Sequence, residues 1–160
     1  MTDVKNKYGT QGQAITITLA SLANNGARQA TVVDNTSDLF LDVLLMLKVK
    51  SGASGVSATG YVEIFAYGTV DDGTTYSEGA TGADGAITLT SVPNVRLIGI
   101  INVVANATTY MGGPFSVAAP FGGVLPKKWG IIVRNKSGAA LDAAEGSHAK
   151  LYQGVLGQAV

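Results

Sequence analysis

The chain has no cysteine and a single histidine, His148, among its 160 residues. The first absence excludes a disulfide scaffold. The two together set aside zinc and other transition-metal sites, which take several nitrogen or sulfur ligands. Charge is scarce as well. Eleven Lys and Arg balance 11 Asp and Glu, 14% of the chain with no net charge, where globular chains carry about 25% charged residues. A zero balance excludes the basic footprint of a nucleic-acid binder and an acidic tail. At 46% hydrophobic residues the chain is also unlike a disordered one, which combines low hydrophobicity with high net charge. No long apolar run is present. The longest, Leu39 to Val49, is interrupted by Asp42 and Lys48, and a spanning helix needs about 20 apolar residues. Met1 to Gln13 is polar, holds Lys5 and Lys7, and leads into no signal-type stretch. The expectation is synthesis in the cytoplasm, no membrane, no nucleic acid, and chance Asn-x-Ser/Thr matches at Asn35, Asn106 and Asn135.

What is present is alternation. Ile15-Thr16-Ile17-Thr18-Leu19 puts apolar side chains on one face and Thr on the other, the period of a strand. Leu41, Val43, Leu45, Leu47 and Val49 share one face of a longer strand. Tyr61, Glu63, Phe65 and Tyr67 alternate with Val62, Ile64 and Ala66. Shorter strands are expected at Gln29–Val33, Ala86–Thr90, Val95–Val104, Trp129–Arg134 and Lys150–Leu156. Gly, Asn and Asp at Asn24-Asn25-Gly26, Asp34–Asp38, Ser51–Thr59 and Asn135–Gly138 supply the turns. Met111 to Lys127 carries three prolines and is read as broken strand and loop. Strand–helix alternation is missing, which excludes a parallel α/β fold. The spacing predicts an all-β protein: a single antiparallel, jelly-roll-like β-sandwich of eight or nine strands over 14–160, preceded by a polar N-terminal arm, 1–13.

No motif carries chemistry. Ser147 and His148 are adjacent and so point to opposite faces of an extended chain, and Gly-x-Ser-x-Gly is absent. His148 is read as a loop or surface histidine. Asp71, Asp72, Glu78 and Asp84 cluster in the long loop Asp71–Gly85 without the spacing of a calcium loop, and are read as a solvated loop tip. The only glutamates are Glu63, Glu78 and Glu145, poor material for a paired-carboxylate hydrolase. No phosphate-binding glycine motif occurs. Lys127-Lys128 followed by Trp129 is read as a loop entering a strand whose Trp is core. The expectation is no enzyme, with no catalytic, cofactor or metal residues. Tyr76, Phe115 and Phe121 stand beside turn residues. They either anchor an interface or fold back to plug an end of the sandwich.

The run Leu125-Pro126-Lys127-Lys128-Trp129-Gly130-Ile131-Ile132-Val133-Arg134-Asn135-Lys136-Ser137-Gly138-Ala139-Ala140-Leu141, followed by His148-Ala149-Lys150-Leu151-Tyr152-Gln153-Gly154-Val155, resembles small structural proteins of tailed bacteriophages. The Trp strand, the Asn-x-Ser-Gly turn and the closing Tyr-Gln-Gly strand carry the resemblance, over about the last quarter of the chain. It implies a non-enzymatic virion protein, a capsid decoration protein that stabilises the shell by protein–protein contacts. The alternative is a tail or tail-tip accessory that recognises a cell-surface glycan through loop-tip aromatics and acids such as Tyr76 and Asp71–Gly85. The implied partners are the major capsid protein or tail proteins, and the implied location is the virion. Low charge independently favours association. A homo-oligomer is expected, a trimer by the resemblance, with Ala86–Thr90 and Lys150–Leu156 as edge strands open to pairing.

Overall fold

The alternating segments pair into two antiparallel sheets in the computed structural model, which describes residues 3–160. The strands are β1 (Val4–Tyr8), β2 (Gln13–Ala14), β3 (Ala27–Gln29), β4 (Val33–Asp34), β5 (Asp42–Lys50), β6 (Tyr61–Thr69), β7 (Gly85–Ile87), β8 (Arg96–Asn102), β9 (Thr109–Ser116), β10 (Lys128–Lys136) and β11 (Ala149–Ala159). No α-helix occurs among the described residues. One sheet has the order β1-β11-β5-β9, with β2 also on β11. The other runs β7-β3-β10-β6-β8, with β4 also on β10. Set aside the short β2, β4 and β7 and number the eight principal strands along the chain. The first sheet then reads first, eighth, third, sixth and the second reads second, seventh, fourth, fifth. That interleaving is the double Greek key of a jelly roll. Eleven strands exceed the eight or nine expected. The excess is β1, inside the expected arm, and the two-residue pieces β2 and β4.

Between the sheets lies one core. Val43, Leu45, Leu47 and Val49 of β5 face Val62, Ile64 and Ala66 of β6 and Trp129, Ile131 and Val133 of β10. Each is buried because the period-two pattern puts every second residue on the inner face. Two positions depart from the sequence reading. Lys150–Leu156 is not an edge: β11 runs between β1/β2 and β5. And β9 continues through Pro114 instead of breaking there. It lies at the edge of its sheet, and the ladder with β5 shifts register between Leu45 and Leu47, opposite Pro114. A bulge on an edge strand is where proline costs no ladder hydrogen bond.

Ile15–Leu19 alternates as expected but forms no ladder. Ile15, Ile17 and Leu19 are buried, while the backbone crosses from one sheet to the other. Thr31 N–H donates to Thr16 O and Ile15 N–H to Lys150 O. Two carboxylates serve the rest. Asp84 accepts from Thr18 N at 3.2 Å, Thr18 Oγ1 at 2.6 Å and Arg28 Nε at 2.6 Å. Glu145 accepts from Leu19 N at 2.8 Å, Ala20 N at 2.7 Å and Lys150 Nζ. Partial burial raises both carboxyl pKa values, but these donors outweigh it and hold both groups below the usual carboxylate range. A folded-state pKa below the unfolded one contributes stability above the unfolded value, about 4. That contribution is lost as pH falls through the folded value. Denaturant midpoints measured from pH 6 down to pH 2 are expected to fall through this window, and Asp84→Asn with Glu145→Gln to flatten the acid limb. An unchanged limb in the double variant would remove both groups as its cause.

The segment after β6 corrects part of a further expectation. Its start, with Asp71, Asp72, Thr74 and Thr75, is exposed as expected, but the rest is not a solvated loop. It folds back over the outer face of the second sheet and covers Phe65, Tyr67 and Ile132 with Ala80, Val95 and the flank of Tyr76. The Tyr67 and Tyr76 rings meet edge-on, 5.5 Å apart. Glu78 accepts from Ser91 N and Asn94 Nδ2, tying the two halves of the excursion together. As a result β6 and β10 are buried on both faces.

Candidate interaction surface

Three loops meet at one end of the jelly roll: 35–41 before β5, 69–76 after β6 and 117–127 between β9 and β10. Each lifts an aliphatic side chain into solvent. Leu39 is 69% exposed, Leu41 54%, Val70 104% and Val124 71%. Large aliphatic side chains at this exposure, grouped on one end, make this end the candidate contact surface.

The tips are held, not loose. Asn35 is buried, and its amide brackets Phe40: Oδ1 accepts from Phe40 N at 2.8 Å and Nδ2 donates to Phe40 O at 2.9 Å. Leu39 N–H returns to Asn35 O at 3.0 Å. The closed loop fixes Leu39 at φ 52°, a left-handed conformation that costs a bulky residue about 1–2 kcal/mol. Beside it, Asp71 accepts from Thr69 Oγ1, Thr75 N at 2.9 Å and Thr74 N at 3.1 Å. These donors, Thr69 foremost, hold its carboxyl well below the usual range and fix the turn that carries Val70. In the third loop Asp42 accepts from Ser116 Oγ at 2.6 Å and Ala118 N at 2.8 Å. Gly122 and Gly123, at φ 81° and 85°, then turn the chain outward to Val124. Only glycine takes two such angles in succession without strain.

Grooves run between the tips. One of about 580 Å³ is walled by Val70, Phe121, Val124, Leu125 and Pro126, with Asp71, Asp72 and Lys127 on its rim. On the other side of Phe121 and Pro126 a second, of about 410 Å³, is lined by Tyr76, Asp71, Asn94 and Arg96. Lys128 Nζ, 3.3 Å from Asp72, also donates to Asp72 O at 2.9 Å. That ties the rim to β10.

Of the three aromatic residues singled out from the sequence, the structure brings two together. Phe121 walls both grooves and Tyr76 the second. Both rings also rest on apolar clusters beneath. Phe115 lies apart, in the seam where β8 and β9 meet. A Cβ on Gly99 would stand 2.4 Å from its ring, and one on Gly112 3.1 Å. The sequence pattern does not single out Leu39, Val70 or Val124, and it places Leu41 on the shared face of the long strand, whereas Leu41 precedes β5 and is exposed. Leu39 and Leu41 open an apolar run that continues into β5, and nothing local separates a run's exposed start from its buried interior. His148 is not a surface residue. It is buried, Nδ1 accepts from Lys50 N at 3.3 Å, and Nε2–H donates to Asp142 O at 3.1 Å. The four loop acids serve turns and ion pairs, and among the described residues no three His, Cys, Asp or Glu side chains gather. Against known proteins, no family model, no curated sequence and no solved structure matches the chain.

Proposed function

We propose that this protein is a non-enzymatic structural component of a tailed-phage virion. In this reading it is a capsid decoration protein that stabilises the shell by protein–protein contacts. One observation carries the assembly role: four rigidly presented aliphatic tips crown one end of the jelly roll. A loop meant only to connect strands has no reason to hold Leu39 in a strained conformation and in water. A second apolar area supports it. The outer face of the first sheet exposes Met46, Met111 and Leu151, and Met46 and Leu151 line a groove of about 370 Å³ there. The resemblance of residues 125–155 supplies the virion. Fold alone supplies neither, since jelly rolls host unrelated functions.

The test has two arms. Light scattering on dilute protein is expected to show an oligomer, a trimer in this reading, at low and at molar salt, because apolar contacts survive screening that removes exposed ion pairs. Val70→Ser with Val124→Ser is expected to release monomer without loss of fold. A stable wild-type monomer in both salts overturns the assembly role. Quantitative mass spectrometry of purified particles then reads copy number. Hundreds of copies fit the capsid, a few to some tens fit the tail, and absence from the particles overturns the virion reading.

The groove lined by Tyr76, Asp71, Asn94, Arg96 and Phe121 favours a second reading, a tail-tip module that binds a surface glycan. Aromatic faces beside polar side chains are how such sites grip sugars. Binding of a soluble glycan, lost in Tyr76→Ala, would move the role to host recognition. No binding across a panel of bacterial surface glycans would remove it.

A further inference from the structure

We propose that the free edge of β1 is a docking site for an extended segment of a partner protein that carries acidic side chains at alternate positions. The geometry comes from the pairing of β1 with β11. Asp3 and Val160 exchange both hydrogen bonds, N to O at 3.2 and 2.9 Å, and Gly9 N–H donates to Gly154 O. The register between them is regular, from Val4 opposite Ala159 to Tyr8 opposite Val155. In an antiparallel ladder, hydrogen-bonded and non-hydrogen-bonded pairs alternate. Lys5 and Lys7 therefore turn their N–H and C=O groups toward β11, and Val4, Asn6 and Tyr8 turn theirs away. Among the described residues no strand pairs with that outer side.

The edge also projects. Pairing between β11 and β5 stops at Val155, so β1 and the end of β11 continue as a two-stranded ribbon. Every β1 side chain is exposed. This strand adds backbone pairing to the sheet and nothing to the core. A two-stranded ribbon is marginal in water, and a third strand would complete it. Strand addition of this kind draws affinity from the main chain and specificity from alternate side chains.

Charge selects the occupant. Lys5 and Lys7 share one face of the ribbon and pair with no acid among the described residues. A second copy is disfavoured there. Antiparallel self-pairing that sets Val4 opposite Tyr8 sets Lys5 opposite Lys7 twice, and a two-residue slip sets a lysine opposite its own counterpart. Like charges directly opposite are destabilising. Lysine on an edge thus guards against self-association, and the same two charges favour Asp or Glu two residues apart on an incoming strand. On the other face, Val4 and Tyr8 are 75% and 57% exposed and favour apolar residues flanking those acids.

Hydrogen exchange on the full chain, read at single amides, tests this with two synthetic peptides, Val-Glu-Thr-Glu-Val-Glu-Thr and its Lys-for-Glu counterpart. The acidic peptide is expected to slow exchange at Val4, Asn6 and Tyr8 by about tenfold or more, equivalent to about 1.4 kcal/mol of protection. Lys5 and Lys7, already bonded to β11, should not change. The basic peptide should do nothing, and Lys5→Glu with Lys7→Glu, which touches only exposed side chains, should exchange the two preferences. Equal response to both peptides, or none to the acidic one, overturns the proposal. So does slowing of these three amides with protein concentration alone, which would make the occupant a second copy.

Discussion

Trp129→Ala is expected to cost about 3–5 kcal/mol, the range for deleting a large core aromatic. A domain of this kind has about 5–15 kcal/mol to lose. Trp129 is wholly buried on the inner face of β10, one residue in from its start, and its ring meets Tyr152 of the opposite sheet edge-on at 5.6 Å. It thus links the two sheets across the core. Its indole Nε1 has no hydrogen-bond partner, which separates shape from polarity. Trp129→Phe keeps most of the volume and breaks no hydrogen bond, so it should cost less than half as much. Urea denaturation of both variants checks this. Similar losses for Phe and Ala would mean that the indole N–H makes a contact that matters.

Asn135→Ala is the second large effect. The side chain is fully buried and joins three segments. Nδ2 donates to Leu22 O at 2.8 Å and to Ala139 O at 2.7 Å, and Oδ1 accepts from Ser137 N at 2.9 Å. Alanine leaves the buried Ser137 N–H without a partner, at about 1–3 kcal/mol. It also removes two further hydrogen bonds, at about 1 kcal/mol each, from Leu22 O and Ala139 O, which keep Leu141 N–H and Ser137 Oγ. The expected loss is about 3 kcal/mol or more, larger than for Asn106→Ala at an exposed position. Thermal unfolding of the two variants compares them directly. A loss below about 1 kcal/mol, the worth of a single ordinary hydrogen bond, would show that water enters and replaces the amide.

These two residues show what could be read before the fold was known. Trp129 enters a short apolar strand bounded by turn residues, where a lone Trp is expected in the core, so its burial was legible. Local patterns of this kind gave β5, β6 and β10 to within a few residues and pointed to a sandwich. Asn135 looked like a turn residue and a chance glycosylation match. Its role depends on Leu22, more than a hundred positions away, and no local pattern carries that information. Ile15–Leu19 lies between the two cases. Its buried face was correct, but Thr18 and Leu19 bond to the side chains of Asp84 and Glu145, so it turns a corner where a ladder was expected. The aliphatic crown was the least legible part. Leu39, Val70 and Val124 are ordinary residues in three separate loops, and only the crossing of strands distant in sequence brings them together. Tyr76 and Phe121 were found because aromatic residues beside turns are conspicuous by themselves.

The place of β11 bears on synthesis. It follows every other strand in chain order, yet lies inside its sheet, with β5 on one side and β1 and β2 on the other. While the chain leaves the ribosome, the second sheet can pair β6 with β8 and β10 as each emerges. The first sheet must wait for residues 149–159. Until they arrive, β5 keeps one edge open and its apolar face half covered, the kind of surface on which nascent chains aggregate. Ribosome-bound chains truncated before Ala149 should therefore be protease-sensitive in β5 and engage chaperones, and release of the full chain should end both.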